Sequence, residues 1–159
     1  NSTQKEAGKP PKGDFRVLPN GVNGIEERIH VTWSTMVNGG MISPSRFVSI
    51  TSTEAAKIFN VYPQKGHLDV GSDADMYILD PAIDHTIKAS SHHSRMDTNI
   101  YEDMEVHGKV TTTISQGKVV WENDKLFTTR GAGRFVPMEP FGPYLFPDHA
   151  SNKAVKDEL

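Results

Sequence analysis

Seven histidines are the residues in this chain best suited to metal or proton chemistry, and their spacing argues against both. His30, His67, His85, His107 and His149 stand alone, while His92 and His93 are adjacent. Neighbouring side chains on a strand point to opposite faces, so an adjacent pair does not chelate as His-x-His can. Solvated or structural histidines are expected. Asp73-Ala74-Asp75 has the opening of a calcium loop, but the glycine and distal glutamate of that motif do not follow in register, which leaves a turn entering a strand. Gly131-Ala132-Gly133 lacks the third glycine and the strand-to-helix setting of a dinucleotide loop. The chain has no cysteine, which removes disulfides, thiolate zinc sites and cysteine nucleophiles together. No serine or histidine stands out with a neighbouring base. Taken alone, these residues make no complete active site.

The elements that would position such chemistry are easier to read. A length of 159 residues suits one domain or a piece of a larger one. With 36% hydrophobic residues, a mean hydropathy of −0.49 and no run near the roughly 20 apolar residues of a membrane span, a transmembrane role is excluded. A net charge of −3 lacks the basic excess of a nucleic-acid surface. Residues 1–24 are loop-rich, and Pro19-Asn20-Gly21-Val22-Asn23-Gly24 predicts a tight turn, because Asn and Gly tolerate positive φ. The spacing of Ile25, Ile29, Trp33, Met36 and Val37 predicts a helix closed by Gly39-Gly40, with Glu26 and Glu27 in its first turn. Ser43-Pro44 opens a second helix through Phe47, Val48 and Ile50, and Thr51-Ser52-Thr53-Glu54 reads as a capping box restarting a third over Ala55–Phe59. After Pro63 the pattern turns to short strands at Gly66–Val70, Met76–Leu79, Val106–Ser115 and Lys118–Trp121. Asp80-Pro81 is expected to be a turn, and Gln116-Gly117 a hairpin. Phe135, Phe141, Tyr144 and Phe146 suit an arm lying on another surface, and residues 150–159 read as a disordered tail.

The residues also resemble a known family. Pro19-Asn20-Gly21-Val22-Asn23-Gly24-Ile25-Glu26-Glu27-Arg28 is similar to a signature segment of the dihydropyrimidinases, or hydantoinases, of the metal-dependent amidohydrolase superfamily. Arg46-Phe47-Val48, Thr51–Asn60, Tyr62–Gly66, Val70–Asp75 and Ile114–Val120 agree in order and spacing. Ser91-His92-His93-Ser94-Arg95 with Asp97-Thr98-Asn99 resembles the plant-type members most closely.

The resemblance implies an α/β fold: the C-terminal helices of a TIM (β/α)₈ barrel, followed by antiparallel strands of a β-sandwich. Residues 1–62 would end the barrel, 63–134 would belong to the sandwich, and 135–159 would be an oligomer-contact arm and tail. It implies a chain that starts just after its own catalytic aspartate, with the metal ligands upstream. The complete enzyme would use two divalent metals, zinc, to open 5,6-dihydrouracil or 5,6-dihydrothymine to N-carbamoyl-β-amino acids, and would form a homotetramer. No catalytic residue and no metal ligand is expected in this chain. The one site residue carried over is Asn20, whose main-chain groups would hold the substrate ring; the rival reading makes it a conformational turn residue. The alternative function is that of a non-catalytic relative like the collapsin response mediator proteins, in which a glutamate typically stands where this chain has Asn20.

Ile25, Ile29, Trp33, Ile58 and Phe59 are expected to pack against barrel elements outside the chain. Lys156-Asp157-Glu158-Leu159 spells an endoplasmic-reticulum retrieval signal, with the cytoplasm as the alternative location. Asn1-Ser2-Thr3 matches a glycosylation acceptor, although the resemblance sets it beside the active site.

Overall fold

The structure is a computed structural model and describes Arg16, residues 21–96 and residues 98–149. Asn20, Asp97, the acceptor at Asn1-Ser2-Thr3 and the tail from residue 150 lie outside the described residues. The chain divides into two units, one from the N-terminal residues to Met41 with Asp80–Lys109, the other Ile42–Leu79 with the residues from Val110 onward.

In the first unit, helix α1 spans Arg28–Thr32 and runs on as a π-helical segment, Trp33–Val37. It starts later than the apolar spacing predicts. Glu27 is the N-cap and makes no side-chain cap hydrogen bond. Glu26 and Glu27 therefore do not serve as first-turn carboxylates; both are engaged elsewhere, as described below. The end is where Gly39-Gly40 puts it. Gly40 takes φ 72°, the Met41 amide donates to Met36 O at 2.8 Å, and a Cβ on Gly39 would sit 2.2 Å from Thr35 O. Ile87 and Val106 form the buried apolar centre of this unit.

In the second unit, α2 spans Pro44–Val48, a π-helical segment covers Ser49–Thr53, and α3 spans Glu54–Ile58. Ser43 caps α2 as expected, with its Oγ accepting from the Arg46 amide at 3.2 Å. The capping box does not form. The Thr51 hydroxyl donates back to Phe47 O at 2.7 Å, and Thr53 is itself helical (φ −61°, ψ −48°) and offers no cap bond. The Thr53 hydroxyl donates to Gly66 O at 2.8 Å, and Glu54 accepts from Ser49 Oγ at 2.8 Å. The helix runs through the motif because those side chains found other partners. Phe47 and Ala56 are buried, but Val48, Ile58 and Phe59 are exposed.

The strand expected at Gly66–Val70 is absent; this stretch is an irregular loop. Gly66 has φ 75° and Gly71 φ 98°, the Asp69 carboxylate takes the Val70 amide at 2.7 Å, and Val70 is fully exposed. Four strands form one sheet in sequence order: β1 (Met76–Thr86), β2 (Glu105–Ser115), β3 (Lys118–Glu122) and β4 (Lys125–Leu126). β1 runs straight through Asp80-Pro81, which is not the expected turn. Proline is tolerated in an outermost strand, and Asp80 Oδ1 accepts the following Ala82 amide at 2.9 Å. β2 and β3 pair antiparallel, with Ser115 opposite Lys118 and an irregularity between Thr113 and Ile114. Gln116 (φ 50°) and Gly117 (φ 75°) make the two-residue turn that the sequence signals. Asn123 (φ 50°) and Asp124 (φ 59°) repeat that turn into β4, a hairpin the sequence reading missed although Asn-Asp is a turn pair that tolerates positive φ.

An ion cluster ties the start of β1 to its surroundings in the second unit. Lys65 Nζ lies 2.9 Å from Asp73 Oδ2 and also bonds Asp75. Arg134 Nη2 reaches both Asp73 oxygens, at 3.0 and 2.9 Å. Asp75 Oδ1 accepts the Gln116 amide at 2.6 Å, joining the cluster to the β2–β3 turn. Asp73-Ala74-Asp75 is thus a turn entering a strand. Of the aromatic arm, Tyr144 meets Tyr62 edge to face at 5.8 Å, and Asn60 Nδ2 donates to Glu139 O at 2.9 Å, while Phe135 is exposed.

Candidate functional site: the Asn-Gly loop and its anchor

The described part of the Asn-Gly loop, Gly21–Gly24, leads directly into α1, and the segment from His92 to Tyr101 holds it. Asn23 Nδ2 donates to the Thr98 carbonyl at 2.6 Å. Gly24 lies so close to the Tyr101 ring that an added Cβ would come within 3.3 Å of it. The Gly24 carbonyl accepts the Arg28 amide at 3.1 Å, which starts α1. The Glu26 carboxylate accepts from the His93 main chain at 2.7 Å and its ring Nδ1 at 2.9 Å.

Beneath these contacts lies a buried polar group. Glu27 is 5% exposed and Asn99 7%. Asn99 Nδ2 donates to Glu27 Oε1 and to His92 Nδ1, the latter at 3.2 Å, and Asn99 Oδ1 accepts the Tyr101 amide at 2.9 Å. His92 Nε2 faces the Met96 carbonyl at 2.7 Å. A carbonyl only accepts, so Nε2 carries the proton and Nδ1 is left to accept from Asn99; this tautomer is assigned from the partners. Both side-chain polar atoms of Asn99 are matched, which is what allows so polar a group to be buried.

The remaining histidines each meet a neighbouring side chain. His107 Nδ1 lies 2.6 Å from Asp84 Oδ1, His30 packs against His85, His67 lies against Tyr62, and His149 stacks on Phe141 at 4.3 Å. Among the described residues no group of three or more His, Asp or Glu could hold a metal ion. None of their helices is long and apolar enough to cross a membrane. Sequence reasoning did not foresee the Glu27–Asn99 pair, whose members lie 72 residues apart; the juxtaposed His92-His93 and Asn99 were quoted only as marks of resemblance.

Fold and site together define an α/β protein in which an Asn-Gly loop is anchored on a buried polar group. A model of the amidohydrolase family matches residues 14–120, and the chain belongs to that family. It is 52% identical over 146 residues to a dihydropyrimidinase of Arabidopsis thaliana, covering 92% of this chain and 27% of that protein. The crystal structure of dihydropyrimidinase from Brevibacillus agri NCHU1002 superposes with a TM-score of 0.79 at 44% identity, over 86% of this chain and 29% of the other. Dihydropyrimidinase-related protein 5 of Mus musculus is 42% identical over 155 residues, 98% of this chain and 26% of that protein. The chain spans less than a third of the length of these relatives.

Proposed function

We infer that this chain is part of a cyclic amidohydrolase that opens 5,6-dihydrouracil or 5,6-dihydrothymine to N-carbamoyl-β-amino acids. The 52% identity to a plant dihydropyrimidinase carries this reading. In it, α1 to α3 are the closing helices of a (β/α)₈ barrel, the sheet contributes to a β-sandwich, and the divisions near residues 62 and 134 mark the parts of the parent enzyme. The complete protein is a homotetramer, with the aromatic arm among its contacts. The family is generally metal-dependent, and two zinc ions would activate water in the whole enzyme. The described residues offer them no donor set, so none of these residues is given a part in that chemistry. What this chain supplies is substrate placement: main-chain groups at Asn20 would meet the donor–acceptor edge of the ring, an arrangement that works only when the loop is held still beforehand. The Lys156–Leu159 signature makes the endoplasmic reticulum the proposed location, which removal of those four residues from a tagged protein would test.

The deciding experiment replaces the matching 146 residues of the Arabidopsis thaliana enzyme with this chain and measures dihydrouracil turnover. Turnover near that of the parent supports the reading, and a folded, metal-loaded chimera without turnover sinks it. That second result favours the interaction-protein alternative, to which the 42% identity with dihydropyrimidinase-related protein 5 belongs.

A further inference from the structure

The buried Asn99 does more than fill space. Its two amide hydrogens go to Glu27 and His92 and its oxygen takes the Tyr101 amide, so its orientation is fully determined by three partners. The residue before it, Thr98, supplies the carbonyl that holds the Asn23 side chain. Glu27, on the other side, is the residue from which α1 begins, and its carbonyl receives the Val31 amide at 2.9 Å. One side chain therefore links the segment that pins the loop to the helix that the loop enters.

We propose that Asn99 is a positioning residue, which through Glu27 and the Thr98–Asn23 bond fixes the Gly21–Gly24 segment in one geometry and thereby supports the binding of a cyclic amide. The proposal rests on the hydrolase reading above for its ligand and on the geometry of the described residues for the clamp. An amide is required at this position. It must donate twice, to a carboxylate and to an unprotonated ring nitrogen, and accept once. Leucine could not do this, and aspartate would set a second carboxylate against Glu27 in a buried place. Exchanging the roles restores the match in part, because a glutamine side chain at position 27 can donate to a carboxylate at position 99.

The test compares Asn99→Ala, Asn99→Asp and the double variant Asn99→Asp/Glu27→Gln in the active chimera described above. Loss of a buried bond to a charged group corresponds to roughly a tenfold to hundredfold effect. Asn99→Ala is expected to raise KM for dihydrouracil at least about tenfold while kcat changes less than about threefold. Asn99→Asp is expected to be worse in KM, and the double variant to recover most of that loss. An unchanged KM in Asn99→Ala overturns the proposal, as does a double variant no better than Asn99→Asp. Should the chimera itself be inactive, the hydrolase reading fails, and hydrogen exchange in the 159-residue chain decides the clamp. Main-chain amides at Gly21–Gly24 that exchange at least about tenfold faster in Asn99→Ala support it, and equal rates sink it.

Discussion

His30 and His85 meet edge to face with ring centroids 4.8 Å apart, and burial, reinforced by this neighbour, favours a neutral His30. Its pKa falls to about 4, first because burial strips water from the ring and then because of the charge on His85. The unfolded chain would protonate the same ring near 6.5. Between those values the unfolded state binds more proton, so this contribution is complete above pH 6.5 and fades as the pH drops toward 4.

The first prediction concerns that window. Urea unfolding of the chain at intervals from about pH 7 to about pH 4 should show stability falling with pH, and His30→Phe should flatten part of the decline. The difference should stay well below the roughly 3–4 kcal/mol that the full shift corresponds to, because solvent screening of the partly exposed ring reduces it. Parallel curves for the two proteins would remove His30 as a cause.

The Lys65 cluster carries a second prediction. Burial works to lower the Lys65 pKa, but the hydrogen bonds it donates to Asp75 and Asp73 outweigh it and raise the pKa above its usual value. The bond from Lys65 in turn holds Asp73 below the ordinary carboxylate range. Lys65→Met leaves two aspartates side by side and should lower the thermal midpoint by several degrees. Acid should weaken the cluster too: its stabilisation is present above the ordinary carboxylate pKa and lost as the pH falls below it. Retention of the parent midpoint in Lys65→Met would show that the bridges are worth nothing net.

Gly66 offers a test of backbone demand. It takes φ 75°, and an added Cβ would stand 2.5 Å from the Ala56 Cβ and 3.1 Å from Ser52 O. Gly66→Ala should cost about 2 kcal/mol or more through strain and overlap combined. Gly133, with open space around it, is the control, and Gly133→Ala should stay within about 0.5 kcal/mol of the parent. Denaturant midpoints read both.

The fourth prediction concerns the apolar centre of the second unit. Phe47 is 1% exposed, and Phe47→Ala should cost about 3–5 kcal/mol by cavity formation. Phe59→Ala should cost far less, since Phe59 is 60% exposed. Equal losses in calorimetry would contradict the burial described.

The contrast between these two phenylalanines shows where the sequence was informative. Local signals were read well when a residue's chemistry was consumed by its immediate neighbours: Ser43 caps its own helix, and Gln116-Gly117 turns its own hairpin. They misled where a distant partner outbid the local one. Glu27 looked like a helix-dipole residue and instead bonds Asn99, and Thr53 stood in a capping motif and instead bonds Gly66. Pro81 looked like a turn because a proline in a strand is costly everywhere except at a margin, and periodicity does not reveal margins. The tight turn expected at Gly21–Gly24 is not built on positive φ, since neither glycine nor Asn23 takes one; side-chain anchoring holds the segment instead, and nothing local marks Asn99 as part of that anchor.

The position of Pro81 has a consequence for the borders of the sheet. Among the described strands, β1 lies at one end of the sheet and the two-residue β4 at the other. Pro81 removes an amide from the middle of the first, and the second is too short to act as a template. Neither border of the described sheet offers the long, unbroken ladder on which foreign strands add, so this sheet should resist edge-to-edge stacking.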